Sequence, residues 1–273
     1  MTREMVRKYY NEQAQFEWRR LVQDAYHKLE FETTLRFLKK YLPSDGLILD
    51  AGGGPGRYTI ELAKQGYEVI LFDFSPASLK KAGRQIRRAK VQDQVKQITE
   101  GSITDMGIFK DGSFDAVLCL GGTLGHILDK IHRDQAIDEL IRVTKARAPL
   151  FVSVIGRLAL FKAALESFPE ELRHKELYLK ILETGNYEGG HGFTATHFFL
   201  SEELEAIFQK KSVTILEMVG LEGLASTHRK KLNQLARKYP KIWKNWQEYH
   251  YKTCTHPHVV GTSEHFMIIC QKS

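Results

Sequence analysis

Seven residues, Asp50-Ala51-Gly52-Gly53-Gly54-Pro55-Gly56, constrain this chain more than any other stretch. They follow Leu47-Ile48-Leu49, a short continuous apolar run of the kind that forms a strand buried on both faces. Behind them Tyr58 to Gln65, with Ile60, Leu62 and Ala63, predicts a helix closed by Gly66. A strand that turns through bare glycine into a helix brings backbone against a ligand and points helix N-terminal amides at it. The second predicted strand, Tyr67 to Phe72, ends at Asp73, 23 residues after Asp50. A carboxylate there can accept hydrogen bonds from both hydroxyls of a ribose. A dinucleotide site uses the same two devices but needs Gly-x-Gly-x-x-Gly. Counted from Gly52 or from Gly54, the third glycine falls on Arg57 or Thr59, so that fingerprint fails in both registers.

The remaining pattern extends the alternation. Ser75-Pro76 opens a predicted helix that runs to Lys90, with Ser75 as N-cap and Pro76 at the first helical position. Val95 to Thr99 is a third strand, Ala116 to Leu120 a fourth, Ile131 to Lys145 a helix and Pro149 to Ile155 a fifth strand. Strand and helix alternating five times predict an α/β, doubly wound sheet with helices on both faces. Ahead of it, residues 2 to 41 carry apolar residues at helical spacing with no Pro or Gly and predict two or three helices. Beyond it, Leu158 to Leu182 reads as helix, Gly185 to Gly192 as loop, Ser201 to Lys210 as helix, and 226 to 252 as helix. Val213 to Val219 and Glu264 to Cys270 supply two more strands.

Composition narrows the class. With 273 residues, 42% apolar and 27% charged, the chain can bury a large core, which excludes disorder and fibre. Ala116 to Leu120 is among its longest apolar runs, far short of the ~20 residues a membrane helix needs, so no membrane partner is expected. The amino terminus has no apolar stretch and no secretory signal is expected; three cysteines without Cys-x-x-Cys spacing suit a reducing cytoplasm. The net charge of +7 is local: residues 226 to 273 carry 9 basic and 2 acidic groups.

The stretch Leu49 to Arg57 resembles the first motif of the class I S-adenosylmethionine-dependent methyltransferases, an acid followed by Gly-x-Gly-x-Gly. The likeness continues through Tyr67 to Pro76, through Glu100-Gly101-Ser102-Ile103-Thr104-Asp105, and through Gly112 to Leu118. It implies a mostly parallel sheet of seven strands, the last antiparallel, with a mainly helical cap from the amino terminus and late insertions. The resulting division is a helical lid over 1–43, the cofactor core over 44–155, and the rest of the sheet with substrate-cap insertions over 156–273. The resemblance implies S-adenosyl-L-methionine as cofactor and S-adenosyl-L-homocysteine as product. Gly52, Gly53, Gly54 and Gly56, with Ala51, would lay the methionine part on backbone, and Asp50 would orient the loop or receive the amino group through water. Asp73 would hold the ribose, Phe74 would pack on adenine, and Ser75 starts the helix beside it. Where many relatives place Asp after the third strand, this chain has Ser102, so the adenine contact shifts to the Ile103 amide or to Asp105.

The loop after the fourth strand, Leu120-Gly121-Gly122-Thr123-Leu124-Gly125-His126, would face the reacting methyl. It lacks the Asn/Asp-Pro-Pro-Tyr motif of relatives that act on exocyclic or amide nitrogen. His126 is its only titratable side chain, hence the candidate general base if the acceptor must lose a proton; a helix-start histidine without a catalytic role is the plainer reading. Tyr9, Tyr10, Phe16 and Trp18 suit a lid that excludes water, or packing at the sheet edge. His250, Cys254, His256 and His258, with His265 beyond, match no zinc spacing, so no metal is expected, and they are read as a polar loop lining the substrate cavity. The segment 228–252 interleaves bases with Tyr239, Trp243, Trp246 and Tyr249, which can meet nucleic acid. Its apolar residues fall at helical spacing, which favours aromatics packed inward under a solvated basic face. The expected function is therefore methyl transfer to an undefined small-molecule acceptor, polar or anionic. The alternatives are a tRNA or RNA methyltransferase using 228–252 and a cofactor-binding protein without turnover. The sequence leaves the oligomeric state open.

Overall fold

A computed structural model describes residues 2–190 and 192–273. Two helices come first, α1 (Thr2–Arg20) and α2 (Ala25–Tyr41). The alternating core follows as β1 (Leu47–Ala51), α3 (Arg57–Lys64), β2 (Glu68–Asp73), α4 (Pro76–Ala89), β3 (Val95–Glu100), β4 (Ala116–Cys119), α5 (Lys130–Val143) and β5 (Pro149–Ile155). The remainder is α6 (Arg157–Ser167), α7 (Lys175–Thr184), β6 (Asn186–Tyr187), β7 (Thr196–His197), α8 (Ser201–Phe208), β8 (Val213–Gly220), α9 (Arg229–Lys238), α10 (Pro240–Thr253), α11 (Pro257–Val260) and β9 (His265–Lys272).

The main sheet runs β3-β2-β1-β4-β5-β9-β8. All its pairings are parallel except those of β9, which is antiparallel to β5 and to β8, so the seven-stranded expectation holds with the last strand reversed. Both faces of the sheet are covered. Leu49, Ala51, Val117, Cys119 and Val152 turn toward α5 and α8, while Ile48, Leu71, Ala116, Leu118 and Phe151 turn toward α2, α3 and α4. This alternation of sides along strands that are apolar throughout is what burial on two faces demands. Chain order reverses between β1 and β4, and the crevice outside their carboxyl ends is the natural binding place in an open α/β sheet.

The two amino-terminal helices differ physically. α2 buries eight residues, among them Leu29, Phe37 and Leu38, each contributing roughly 2 kcal/mol of transfer free energy. α1 buries only Val6 and Ala14. Polar contacts hold it across α4 and β3: Asn11 Oδ1 accepts from Ser75 Oγ (2.8 Å) and the Ala77 amide (3.3 Å), Lys81 meets Gln15, and Arg7 pairs with Glu100.

Two long helices expected from the sequence are broken. The 158–182 segment divides at Phe168-Pro169 into α6 and α7, and 226–252 divides at Tyr239-Pro240 into α9 and α10. Pro removes an amide donor and pushes its predecessor out of the helical region, here to φ −152° at Phe168 and −136° at Tyr239. Within the expected loop 185–192, Asn186 and Tyr187 pair with His197 and Thr196 as a short antiparallel strip.

Candidate active site

The glycine turn adopts the left-handed backbone that its composition demands. φ is +79° at Gly52, +54° at Gly54 and +80° at Gly56. A side chain at Gly52 would strike Thr123, whereas a Cβ at Gly54 would meet no atom within 4 Å, and the same holds at Gly121 beyond β4. Bare peptide therefore faces the crevice from both sides of the switch point. Gly56 plays another part, since its Cβ would press on Ala82 of α4.

Asp73, at the end of β2, accepts from the Gly54 amide through Oδ2 (2.9 Å) and from the Ser75 amide through Oδ1 (2.8 Å). Burial raises this carboxyl to about 6, although the two amides pull it down. Each oxygen retains a lone pair for a further donor. Asp50, at 0% exposure, accepts from the Thr59 hydroxyl (2.6 Å) and amide (3.1 Å) on Oδ2, and burial raises it to about 6. Its Oδ1 is buried without a partner. An unspent acceptor beside exposed glycine peptide suits a ligand that carries an ammonium group.

Two lobes meet at Gly52, Asp73, Phe74, Thr123 and His126. The wider, about 320 Å³, is bordered by Gly101 to Thr104, Ile127 to Asp129, His132 and the start of α1. The narrower, about 100 Å³, is bordered by Asp50, Gly53, Gly54, Leu120 and Gly121, with Tyr10 and Arg20 of α1 and Tyr58 of α3 closing it. Asp73 stands where the two lobes join.

His126 stands at the junction. Its Nδ1 lies 2.9 Å from the Ala195 carbonyl, which can only accept, so Nδ1 carries the proton and Nε2 accepts from the Tyr10 hydroxyl at 2.6 Å. Burial lowers His126 to about 4 and raises the Tyr10 phenol well above its ordinary value. The pair is thus neutral: a phenol from α1 locked on an imidazole from the loop after β4.

A buried charge network backs the narrow lobe. Arg20 forms a fork on Glu30 (2.6 and 3.0 Å) and reaches Glu17 (3.4 Å), while His265 Nδ1 bonds Glu222 (2.7 Å) and lies 3.9 Å from Glu30. Nearby carboxylates outweigh desolvation and raise His265 to about 9. Glu30, Glu222 and His265 are near enough to share a metal ion. Arg20⁺ and His265⁺ already neutralise the two carboxylates.

Residues 48–147 match the family model described as a methyltransferase domain. A glycine/sarcosine N-methyltransferase of Parasynechococcus marenigrum is 30% identical over 129 residues, 47% of this chain and 44% of that protein. The chain thus spans less than half the length of that relative. A demethylmenaquinone methyltransferase of Clavibacter sepedonicus is 27% identical over 68% of each chain. A solved SAM-dependent methyltransferase from Methanosarcina mazei superposes with a TM-score of 0.58 at 22% identity, over 86% of this chain and 96% of that one. Over residues 48–147 the chain thus carries a methyltransferase domain, and its fold is that of the solved SAM-dependent methyltransferase.

The chain brings most of its sequence-predicted site residues to one crevice. Gly52, Gly53, Gly54, Asp73, Phe74, Ser102, Ile103, Leu120, Gly121 and His126 border it, and Asp50 borders the narrow lobe. Ala51 is buried in the core, and Ser75 caps α4 while donating its amide to Asp73, so both act from behind. Asp105 is exposed and its Oδ1 accepts from the Gly107 amide (3.3 Å), while Thr104 borders the wide lobe. His250 is buried under α2, its Nε2 on the Thr33 hydroxyl (2.8 Å), and Cys254 is buried. They are core residues instead of the expected cavity loop. Trp243 and Trp246 pack with Leu232 on Tyr26 and Leu29, the inward arrangement that helical spacing favoured, but Tyr239, Ile242 and Tyr249 of the same spacing are exposed. Tyr10, Arg20 and Tyr58 were not read as site residues. Tyr10 stood out only as an aromatic of the first helix, and nothing local marks it as a partner for a residue 116 positions on.

Proposed function

We propose that this methyltransferase transfers a methyl group to a small-molecule acceptor in a reducing, cytoplasmic setting. The observation that carries the reading is the pairing of bare peptide at Gly54 and Gly121 with Asp73 and the unspent Asp50 oxygen around one divided crevice. The donor set fits S-adenosylmethionine. Bound here, that cofactor would supply a methyl group on a positively charged sulfur. Asp73 would accept the ribose hydroxyls, Phe74 and the Ile103 amide would meet the adenine, and Asp50 with Gly52 to Gly54 would receive the amino-acid end. Tyr10, Arg20 and Tyr58 exclude water from the narrow lobe, which strengthens every electrostatic contact inside it. Three free, buried cysteines accord with a reducing compartment.

In-line displacement draws much of its rate from positioning. When the acceptor must shed a proton, Tyr10 Oη is the first lone pair it meets, and the phenol proton can pass to His126 Nε2. Tyr10 and His126 together are the proposed base. The first 43 residues do not act as one lid: α1, with two buried residues, is the part free to open, whereas α2 belongs to the core. Residues 44–155 form the cofactor half, and the later insertions enclose the acceptor.

Titration calorimetry with S-adenosylmethionine and S-adenosylhomocysteine tests the reading. Both bind the wild type with 1:1 stoichiometry, and Asp73→Ala weakens them by at least roughly 100-fold, the cost of two hydrogen bonds to a charged group. A wild type that takes up neither compound, or an Asp73→Ala protein that binds them as well, would overturn it.

A further inference from the structure

A cavity of about 650 Å³ lies apart from the cofactor crevice. It lies among α6, α7 and the segment that carries the β6–β7 strip, and its walls are rings and aliphatic chains: Phe168, Tyr178, Tyr187, Phe193 and Phe198, with Leu177. Glu171 is the one charged residue among its described lining. A space of this size and character suits a largely apolar molecule of about 15 to 25 non-hydrogen atoms. Aromatic walls favour a ring system, because rings meet edge-to-face or offset.

Phe193 joins the wall of this cavity to the crevice. Phe193 lines the cavity, and its ring meets that of His126 (centroids 5.8 Å apart) and that of Tyr9 (5.6 Å). The strip is pinned at its far end, where Arg157 Nε donates to the Phe198 carbonyl (3.0 Å) and His197 Nε2 meets Glu203 (2.7 Å). Gly190 (φ +123°) and Gly192 (φ +70°) also line the cavity, and among the described residues neither Cβ position has an atom within 4 Å. Thr194, next to Phe193, is buried with a hydroxyl that has no partner among the described residues, so hydrogen-bonding capacity is left over beside Phe193.

We infer that this cavity is the acceptor's binding site, that it takes a neutral aromatic or polycyclic molecule bearing a hydroxyl, and that Phe193 is the ring it passes to reach the methyl. The inference rests on the proposed methyl transfer. The apolar body lies among the rings, while the hydroxyl reaches past Phe193 to Tyr10 and His126. There the O–H bond breaks, its proton going to the Tyr10–His126 pair. The same oxygen forms the new bond to the methyl carbon as the carbon–sulfur bond breaks and its electron pair stays on sulfur. A small polar amino acid would leave most of this volume empty and its charges unpaired, so the polar or anionic acceptor expected from the sequence is replaced by an apolar one.

The test uses methyl-labelled S-adenosylmethionine and an extract of the cells that make the protein, acidified after reaction and partitioned between ethyl acetate and water. Label goes to the organic phase. Leu177→Glu, a half-buried wall position on α7, cuts that transfer at least tenfold by placing a carboxylate among the rings, while the calorimetric Kd for S-adenosylmethionine stays within twofold. Leu160→Glu, from the α6 wall, does the same and guards against an idiosyncratic effect at 177. Label confined to the aqueous phase overturns the acceptor class. Organic label undiminished in both variants overturns the location. Cofactor binding with label in neither phase overturns this inference, and a wild type that binds no cofactor overturns the methyl-transfer reading itself.

Discussion

Asp73 binds loop and helix before it binds any ligand: one oxygen holds the Gly54 amide, the other the Ser75 amide. The carboxylate is therefore pre-placed, and the cost of orienting it was met on folding. Its raised value, about 6, ties affinity to pH. Ribose hydroxyls donate to the ionised form, so binding should be strongest above pH 6 and weaken as Asp73 takes up a proton below it; Kd from calorimetry at pH 5 and pH 7.5 checks the sign. His126 behaves oppositely in reach. Held near 4, it stays neutral across that range and adds no acidic limb of its own above pH 5. If it serves as base through Tyr10, Tyr10→Phe leaves an imidazole with nothing to relay. Label transfer by Tyr10→Phe should then fall roughly 10²-fold, within the usual span for general bases, with the cofactor Kd within threefold. A matching loss of cofactor affinity would mean that Tyr10 only closes the lobe.

At the scale of elements, α1 is docked by side-chain hydrogen bonds and one ion pair, with little apolar burial, and such contacts contribute modestly in water. Deleting residues 2–20 should therefore raise the S-adenosylmethionine Kd at least tenfold while far-ultraviolet circular dichroism retains the sheet and the remaining helices. An unchanged Kd would remove α1 from the site. Strands and their turns were legible in the sequence because a strand buried on two faces is an unbroken apolar run, as at Leu47 to Leu49, and its end is marked by glycine or Asp. Helix breaks were equally marked, by Pro169 and Pro240, yet the apolar spacing on either side reads as one periodic helix. The two-residue strip 186–187 with 196–197 is too short for any period to register. What the sequence conceals is juxtaposition: Tyr10 beside His126, or Phe193 between two cavities, depends on where the fold returns each segment.

Across the whole molecule, the last strand in sequence also carries a strongly shifted charge. His265 opens β9, between the amino-terminal helices and the late insertions, and Glu30 of α2, Glu222 after β8, and Arg20 of α1 all face it. Three segments distant in sequence are thus joined through one proton. Its folded value, about 9, lies above the ordinary histidine value of 6.5, so the stabilisation is complete below pH 6.5 and is lost as pH rises through 9. The shift corresponds to on the order of 3 kcal/mol, which for a chain of this size is roughly 5 to 10 °C in Tm. Asp50 and Asp73 act in a lower window: raised to about 6, they bind more protons folded than unfolded between about pH 4 and 6, so stability there also falls with rising pH. The two effects separate by mutation. Thermal unfolding followed by calorimetry should show the wild-type Tm dropping between pH 6.5 and 9. His265→Gln should start lower at pH 6.5, lacking the charge between Glu222 and Glu30, and then change little over the same interval. A His265→Gln protein whose Tm falls as steeply as the wild type would place the alkaline loss elsewhere and leave Arg20 as the sole counter-charge that matters to Glu30.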